Sequence, residues 1–443
     1  AHSRPARIDY TVWSEVFTCP ACAAPVVYYD AAFDAASGRV RDDFYCGECG
    51  TLLHKKGAPA ALRRKVPVRT LAGDVTERVE MRPVAIHYRG AHGVKRVKAP
   101  DPEDLDVLRR VAALALPAPV PTEQIPFMHM THERAPLPKK GFTSVHHLWG
   151  DRALVAITAL WKDCSSEPDP LLRMALLFWL EQALWGMSWM NRYQAIQQGK
   201  LGGSQVNRQM TGVYYISSLV SECNPRYNLE GSQPTRGKRR SLIKTWEASP
   251  ARLGQVSITT SSSTSIDLPD GSVDYVFVDP PFGSNIYYAD LAYLVESWHG
   301  VRADATEEAI VNQSRKASRT LAEYAELMGA CFAEFHRVLK AGRWMTVEFS
   351  NPSNQVWLTI QHALARAGFV VADTRVIDKE QGSYRQVTAK NAVRSDLVIS
   401  AYKPSEELTE RVTISAGRPE TAWAFVRDLL GHLPKVPERG PSG

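Results

Sequence analysis

A short apolar strand that ends in a rigid turn constrains the fold of this chain more than any other feature. Residues 274–278 (DYVFV) read as a buried strand, and Asp279-Pro280-Pro281-Phe282 follows directly. Strand patterns alternate with helix patterns around it, which indicates an α/β, doubly wound sheet. The predicted strands are 256–259, 275–278, 344–349, 370–376 and 397–402, and the predicted helices are 320–339 and 355–367, ending at Gly342 and Gly368.

The composition is that of an ordinary globular chain. It has 443 residues, of which 44% are hydrophobic and 23% are charged, with a formal net charge of +6. A mildly basic protein can bind nucleic acid, but many basic proteins bind none. No apolar run approaches the roughly 18–20 residues that span a membrane, and the N-terminal residues contain no secretory apolar segment. We therefore expect no membrane partner.

Two CxxC pairs predict a metal site. Cys19 and Cys22 are followed, after 23 intervening residues, by Cys46 and Cys49. Four thiolates at this spacing are typical of a structural Zn²⁺ site of the zinc-ribbon type. Four unrelated thiols or a redox pair are the alternatives. Seven cysteines in the whole chain are too few for a disulfide scaffold, which indicates a reducing, cytoplasmic location.

The Asp-Pro-Pro-Phe turn suits chemistry on an exocyclic amine. Such an amine is a poor nucleophile because its lone pair is delocalised into the ring. A carboxylate and a backbone carbonyl that accept its two N–H groups would free the lone pair, and prolines would hold both acceptors rigidly. The Phe ring offers a surface on which a flipped base can stack. A strand that merely ends in a Pro-Pro turn is the alternative.

This turn resembles the catalytic motif of S-adenosylmethionine-dependent amino-methyltransferases, which modify adenine N6 or cytosine N4. The longer run SVDYVFVDPPFGSNIYYADL is similar to the zinc-ribbon adenine-specific DNA methylases. The resemblance covers roughly residues 8–430. Other matching stretches are IDYTVWSEVFTCPAC, MSWMNRY, FHRVLKAGRWMTVEFSN and NAVRSDLVISAYKP.

The resemblance implies a Rossmann-like methyltransferase that acts on DNA, with adenine N6 as the favoured target and restriction-modification as a setting. It implies that Asp279 and the Pro280 carbonyl accept the amine, that Pro281 forms the turn and that Phe282 stacks on the base. It also assigns the four cysteines to the ribbon.

The resemblance further implies a cofactor contact for Ser261, Ser262 and Thr264. These residues follow the predicted strand 256–259, where such enzymes contact the adenine of S-adenosylmethionine. No acidic residue stands there, unlike in many methyltransferases.

We predict four regions on this basis. They are a zinc ribbon at 1–70, a loop-rich and helical target-recognition insert at 71–250, the catalytic region at 251–404 and a tail at 405–443. In the insert, residues 154–161 and 171–190 have helical apolar spacing. Three tryptophans and two histidines of the insert are expected to be structural: Trp179, Trp185, Trp189, His146 and His147.

One expected motif is missing from the sequence. The family has a Gly-rich turn after its first strand and an acidic residue after its second, and both contact the cofactor. Neither is found here, and 201–204 (LGGS) resembles the turn poorly. In the family this segment precedes IDYTVW. We expect a second polypeptide to carry the Gly-rich motif, unless the segment was removed from this one. An RNA base-amine methyltransferase and a non-catalytic nucleic-acid-binding remnant are the alternatives.

Several further residues are weaker candidates. Asn285, Tyr287 and Tyr288 could line a base pocket or pack at a helix start. The polar loop 381–386 could contact DNA but is more typical of a solvated hairpin. The basic runs 63–65 and 238–240 could contact phosphates, although such runs usually face solvent.

Overall fold

The chain divides into two compact units in a computed structural model. The first comprises Ala1–Gln255 with Tyr288–Asp304, and the second comprises Val256–Tyr287 with Ala305–Gly443. The predicted regions 1–70 and 71–250 thus lie in one unit. The described residues are 6–55, 60–90, 93–134, 137–197, 200–205, 214–230, 238–248, 256–283, 287–313, 318–350, 353–378 and 395–405.

Antiparallel strands build much of the first unit. Its main sheet has the order β11-β10-β1-β14, and β2 and β7 pair with the end of β1. The strands are β1 (Arg7–Thr18), β2 (Pro25–Val27), β3 (Phe33–Asp34), β4 (Arg39–Val40), β5 (Asp43–Tyr45), β6 (Leu52–His54), β7 (Leu62–Arg63), β8 (Lys65–Arg69), β9 (Val75–Val79), β10 (Met81–Arg89), β11 (Lys95–Lys98), β12 (Gln194–Gln197), β13 (Lys200–Gln205) and β14 (Leu219–Cys223).

The long strand β1 is the centre of this sheet. It is rich in β-branched and aromatic residues, which favour a pleated, buried surface. It pairs antiparallel with β10 and with β14, and most of its side chains are buried. Because β1 is paired along both edges, its polar residues are buried as well: Asp9, Thr11 and Glu15 are as buried as the apolar Tyr10 and Val12.

The helices of the first unit begin at recognisable caps. In α2, Asp101 and Asp104 form a capping box, and in α4 Asp169 accepts N–H bonds ahead of Pro170. The helices are α1 (Tyr28–Ala32), α2 (Pro102–Ala112), α3 (Asp151–Ser165), α4 (Pro170–Met187), α5 (Pro225–Glu230), α6 (Lys238–Ala248) and α7 (Tyr288–His299).

The three tryptophans predicted to be structural lie in the helical core of this unit. Trp189 is buried, and Trp179 and Trp185 pack against the same cluster. Fully buried Trp149 donates its Nε1–H to the Leu184 carbonyl at 2.9 Å. The prediction for these tryptophans is confirmed.

A four-stranded mixed sheet forms the second unit, in the order β15-β18-β20-β19. β15 and β18 are parallel, and the other two pairs are antiparallel. The strands are β15 (Val273–Val278), β16 (Asn312–Gln313), β17 (Ser318–Arg319), β18 (Leu339–Phe349), β19 (Val370–Asp378) and β20 (Ser395–Tyr402), and the helices are α8 (Leu321–Val338) and α9 (Asn354–Arg366).

Helices α8 and α9 cover one face of this sheet. Thr320 begins α8 through a capping box with Glu323. Buried Phe332 and Ile360, one from each helix, lie in a core cluster with Val347 of β18. Four of the five predicted strands and both predicted helices are confirmed, because their apolar periodicity matches this buried face.

Three details differ from the sequence prediction. Strand β15 is not the buried strand expected, because none of its residues is buried and Tyr275 and Phe277 are 53% and 60% exposed. Residues 256–259 form no strand, and Val256 and Ile258 are 75% and 90% exposed. Gly342 does not end a helix, because α8 stops at Val338 and Gly342 lies inside β18 with φ +72°. Gly368 does follow the end of α9, with φ +92°, as predicted. None of the helices among the described residues is long and apolar enough to cross a membrane.

Candidate functional site

Two tight turns bring the four CxxC cysteines together. Cys19 and Cys22 follow β1 where it pairs with β2, and Cys46 and Cys49 join β5 to β6. In each turn an N–H bonds back to the first cysteine's carbonyl at 2.9 Å, from Ala23 to Cys19 and from Gly50 to Cys46. Gly50 has φ +71°, a conformation that glycine adopts without strain.

The sulfur positions fit one tetrahedral zinc ion. All four Sγ atoms lie within 4.8 Å of one another, and the Cys19–Cys49 and Cys22–Cys46 distances are both 3.7 Å. Four sulfurs at about 2.3 Å from one ion would be about 3.8 Å apart, whereas a disulfide needs about 2.05 Å. The residues therefore fit a closed, structural zinc site.

The surroundings of the cluster support this interpretation. Hydrogen bonds from the Thr51 side chain, at 3.2 Å, and from its backbone lower the pKa of Cys49 to about 6. For Cys22 a backbone hydrogen bond at Ala24 lowers the pKa, but hydrogen bonds with the other cysteines raise it overall to about 12, so the four thiols share their protons unequally. Phe17, Tyr28 and Phe44 pack in one cluster with Cys19 and Cys46, with ring centroids 5.2–5.8 Å apart; Tyr28 contacts both Phe rings edge-on. This small aromatic core holds the two hairpins at the spacing that the ion requires.

The Asp-Pro-Pro-Phe turn lies at the carboxyl end of β15. Asp279 is exposed at this end, while Pro280 is buried behind it. Ligands of open α/β sheets bind at the carboxyl ends of parallel strands, and β15 runs parallel to β18. The structure thus places the predicted acceptor where a ligand would be expected. The roles of these residues stay predictions.

Two buried aromatic residues hold this turn in place. The Tyr324 hydroxyl of α8, fully buried, donates to the Pro281 carbonyl at 2.7 Å. Phe282 packs edge-to-face on Phe349 of β18, with centroids 5.6 Å apart and planes at 90°. The Phe282 ring is therefore half-buried and firmly oriented. Nothing in the sequence near the turn pointed to Tyr324, which is 43 residues away.

An ionic clamp fixes the segment that leads into β15. Arg337 of α8 donates to the Ile266 and Leu268 carbonyls at 2.8 and 2.9 Å and pairs with Glu334 at 2.6 Å. The Ile266 N–H in turn donates to Glu334 at 2.8 Å. Hydrogen bonds from Arg337 lower the pKa of Glu334 to about 2. In the sequence, the i, i+3 spacing of Glu334 and Arg337 on a predicted helix indicated this ion pair but not its contact with residues 266–268.

The predicted cofactor residues do not form a cradle. Ser261 and Ser262 are exposed, and the Ser262 and Thr264 hydroxyls bond to each other at 2.8 Å in a local turn. The strand expected to present them is absent from this described segment. The described residues thus do not by themselves fit the cofactor.

The remaining candidates are scattered. Tyr287 is buried and is the last residue of the second unit's segment Val256–Tyr287. Tyr288 is the first residue of helix α7, which belongs to the first unit. Asn285 and the loop 381–386 lie outside the described residues, as does most of the predicted tail. The sequence LGGS, compared above with a Gly-rich turn, belongs to strand β13.

Acidic partners stand beside the first basic run. Arg63 and Arg64 lie 2.8 and 2.7 Å from Glu15 and Glu80. Glu15 is fully buried, yet nearby Lys140 and Arg63 outweigh its burial and lower its pKa. These arginines therefore stabilise the sheet, whatever else they contact. Arg240 of the second run is exposed on α6.

The His146–His147 pair has a partner that sequence spacing did not predict. Asp74 accepts from both Nε2 atoms, at 2.8 and 2.9 Å, and both imidazoles are buried. The Thr143 and Ser144 N–H groups donate to His147 Nδ1, which leaves its Nε2 to donate to Asp74. The ligand atoms of Asp74, His146 and His147 also lie within 4.8 Å of one another, a spacing that could hold a metal ion. The structural role of this pair stays a prediction.

Comparison with known proteins gives only distant similarities. Neither the protein-family models nor the curated proteins include a match. A proposed DNA modification methylase from Thermus thermophilus is similar at 13% identity and a TM-score of 0.21, over 34% of this chain and 58% of that one. A SAM-dependent methyltransferase from Methanosarcina mazei is similar at 14% identity and a TM-score of 0.19, over 39% and 80% of the two chains. The chain thus spans little more than half of the Thermus protein.

Proposed function

We propose that this chain is part of an S-adenosylmethionine-dependent DNA amino-methyltransferase, with adenine N6 as its target. The observation that carries the proposal is the rigid Asp-Pro-Pro-Phe turn at the carboxyl end of β15, with Asp279 exposed. The sequence resemblance around this turn supports adenine in DNA. A cytoplasmic location is part of the same proposal.

The turn would act on the target amine through its acceptors. The Asp279 carboxylate and the Pro280 carbonyl would each accept one N–H, which leaves the nitrogen lone pair free to take the methyl group. Asp279 would then hold the proton that the amine releases. Phe282, oriented by Phe349, would stack on the flipped base. The methyl donor, S-adenosylmethionine, would be held by residues outside the described part of this chain.

We propose that the four-cysteine cluster holds one structural Zn²⁺. A closed set of four thiolates leaves no position for substrate. The ion would link the β5–β6 hairpin, through Cys46 and Cys49, to the end of β1, through Cys19 and Cys22. Strand β1 is the centre of the first unit's sheet.

We further propose that a second polypeptide completes the second unit's sheet and carries the Gly-rich cofactor motif. Two observations support this. Among the described residues, β15 pairs only with β18, so its other edge is open. On the face opposite α8 and α9, Tyr275 and Phe277 are 53% and 60% exposed, whereas parallel strands are normally covered on both faces.

A transfer assay tests the function. Tritium transfer from labelled cofactor to adenine-containing DNA, and not to RNA, is expected when the chain is combined with the polypeptide that restores cofactor binding. Transfer to RNA alone would favour the RNA alternative. Cofactor binding without transfer to either substrate would favour the non-catalytic remnant.

A paired substitution tests the partner. Phe277→Lys should abolish partner-dependent cofactor binding, and Val376→Lys, 62% exposed on β19 of the same sheet, should not. A purified chain that is monomeric and binds the cofactor unaided would contradict the need for a partner, but not the chemistry of the turn.

A further inference from the structure

A cavity of about 210 Å³ lies within the first unit, between β8, β9, α2 and the start of α3. Pockets that enclose drug-sized ligands measure about 300–1,000 Å³. This cavity is smaller, and its size suits one flat ring system rather than a whole cofactor. All of its lining residues belong to the first unit, so it does not involve the Asp-Pro-Pro-Phe turn.

Aromatic and aliphatic side chains form most of the cavity wall. The Trp13 and Trp189 rings are perpendicular, at 89°, with centroids 5.0 Å apart. Val68 of β8 and Leu108 of α2 also line the cavity. Such walls favour a flat aromatic group, because stacked and edge-on contacts both gain from its surface.

A buried ionic contact makes this wall rigid. Glu222, 3% exposed, accepts from Trp13 Nε1 at 2.8 Å and from Arg152 Nη2 at 2.7 Å. The charges of Glu222 and Arg152 therefore satisfy each other, and the Trp13 ring is held in one orientation. The cavity is built before any ligand arrives.

Two other charged groups in the lining remain available to a ligand. Asp151, the first residue of α3, is half-buried and accepts no hydrogen bond within the described part of the chain. Burial raises the pKa of Asp151, and the nearby Arg78 guanidinium opposes that rise. Arg78 uses Nη1 to bond the His147 carbonyl at 3.3 Å and lies 5.5 Å from the Phe142 ring. A carboxylate acceptor and a guanidinium donor thus line the same apolar cavity.

We propose that this cavity binds a heteroaromatic ring with an amine beside a ring nitrogen, the edge that adenine and cytosine share. Asp151 would accept from the amine, Arg78 would donate to the ring nitrogen, and the tryptophans would contact the ring. Uracil presents a carbonyl where the amine would be, so Asp151 discriminates against it. The base could come from a free nucleoside or from an unpaired nucleotide of a strand.

Calorimetric titration of the full-length chain with adenosine, cytidine and uridine tests this site. Adenosine and cytidine should bind at least about tenfold more tightly than uridine, since a site that hydrogen-bonds an amine rejects ligands without one. Asp151→Ala, which removes the acceptor, should weaken adenosine binding by a similar factor. Asp163→Ala, an exposed position on the same helix, should leave it unchanged.

A second variant guards against a folding defect. Val68→Phe fills the cavity without changing a charge, and should abolish binding while the circular dichroism spectrum stays native. A single-stranded oligonucleotide of adenines that binds while adenosine does not would identify the strand as the source. Failure of adenosine and of the oligonucleotide to bind at millimolar concentration, or binding unaffected by Asp151→Ala and Val68→Phe, would overturn the proposal.

Discussion

Replacing Asp74 should loosen the first unit more than its exposed position suggests. Asp74 joins the β8–β9 turn to the turn containing His146 and His147, at 2.8 and 2.9 Å. Its side chain is 43% exposed, but both imidazoles are at most 3% exposed. In Asp74→Ala, two buried Nε2–H groups lose their acceptor, and each such loss costs about 1–3 kcal/mol. Because water can reach the Asp74 side of the contact, we expect the low end, about 2 kcal/mol in total.

Hydrogen exchange with mass spectrometry measures the local loss of stability in Asp74→Ala. A loss of about 2 kcal/mol corresponds to roughly 30-fold faster exchange for the peptides covering 65–79 and 143–150. The exposed control Asp163→Ala on α3 should change neither peptide. Exchange within about twofold of the wild type in Asp74→Ala would refute the energetic role assigned to these hydrogen bonds.

The pH dependence of the same contact has a definite sign. Burial lowers the pKa of His147 below its usual 6.5. The stability contributed by the neutral imidazole is therefore complete above about pH 6.5 and is lost as the pH falls. Burial alone would raise the pKa of Asp74, but hydrogen bonds from Thr70 and the two histidines lower it overall. Its contribution therefore holds above about pH 4 and disappears at lower pH. The wild type should exchange faster in these peptides below about pH 6.5, relative to the intrinsic rate.

Three further predictions concern the candidate sites. Purified protein should contain one zinc per chain. The Cys46→Ser variant should lose the zinc, and its remaining cluster thiols should become accessible to titration, whereas Cys331→Ser, outside the cluster, should keep the zinc. A metal content near zero in the wild type would contradict the site. Asp279→Ala should abolish methyl transfer in an active assembly without changing the fold, with exposed Asp267→Ala as the control; retained transfer would show that the assigned mechanism is wrong. Tyr324→Phe should lower the free energy of unfolding by about 1 kcal/mol and slow transfer, because the Pro281 carbonyl loses its 2.7 Å hydrogen bond; an unchanged melting temperature and rate would remove Tyr324 from the site.

Local chemistry made some features predictable from the sequence alone. A CxxC turn brings its own two sulfurs together, so two such turns indicated a shared ion before any fold was known. The apolar runs that became β15, β18 and β20 indicated strands, and Thr320 with Glu323 marked the start of α8. Each of these signals lies within a few residues of the structure that it specifies.

Only the tertiary structure decided how distant side chains meet. Asp74 reaches two histidines 72 and 73 residues away, and Tyr324 reaches the Pro281 carbonyl across 43 residues. The apolar residues at 256–259 had strand character, yet they form no strand, since backbone pairing depends on a neighbour as well as on propensity. A hydrogen bond acts over about 3 Å whatever the separation along the chain, so residue order does not reveal these partners until folding brings them together.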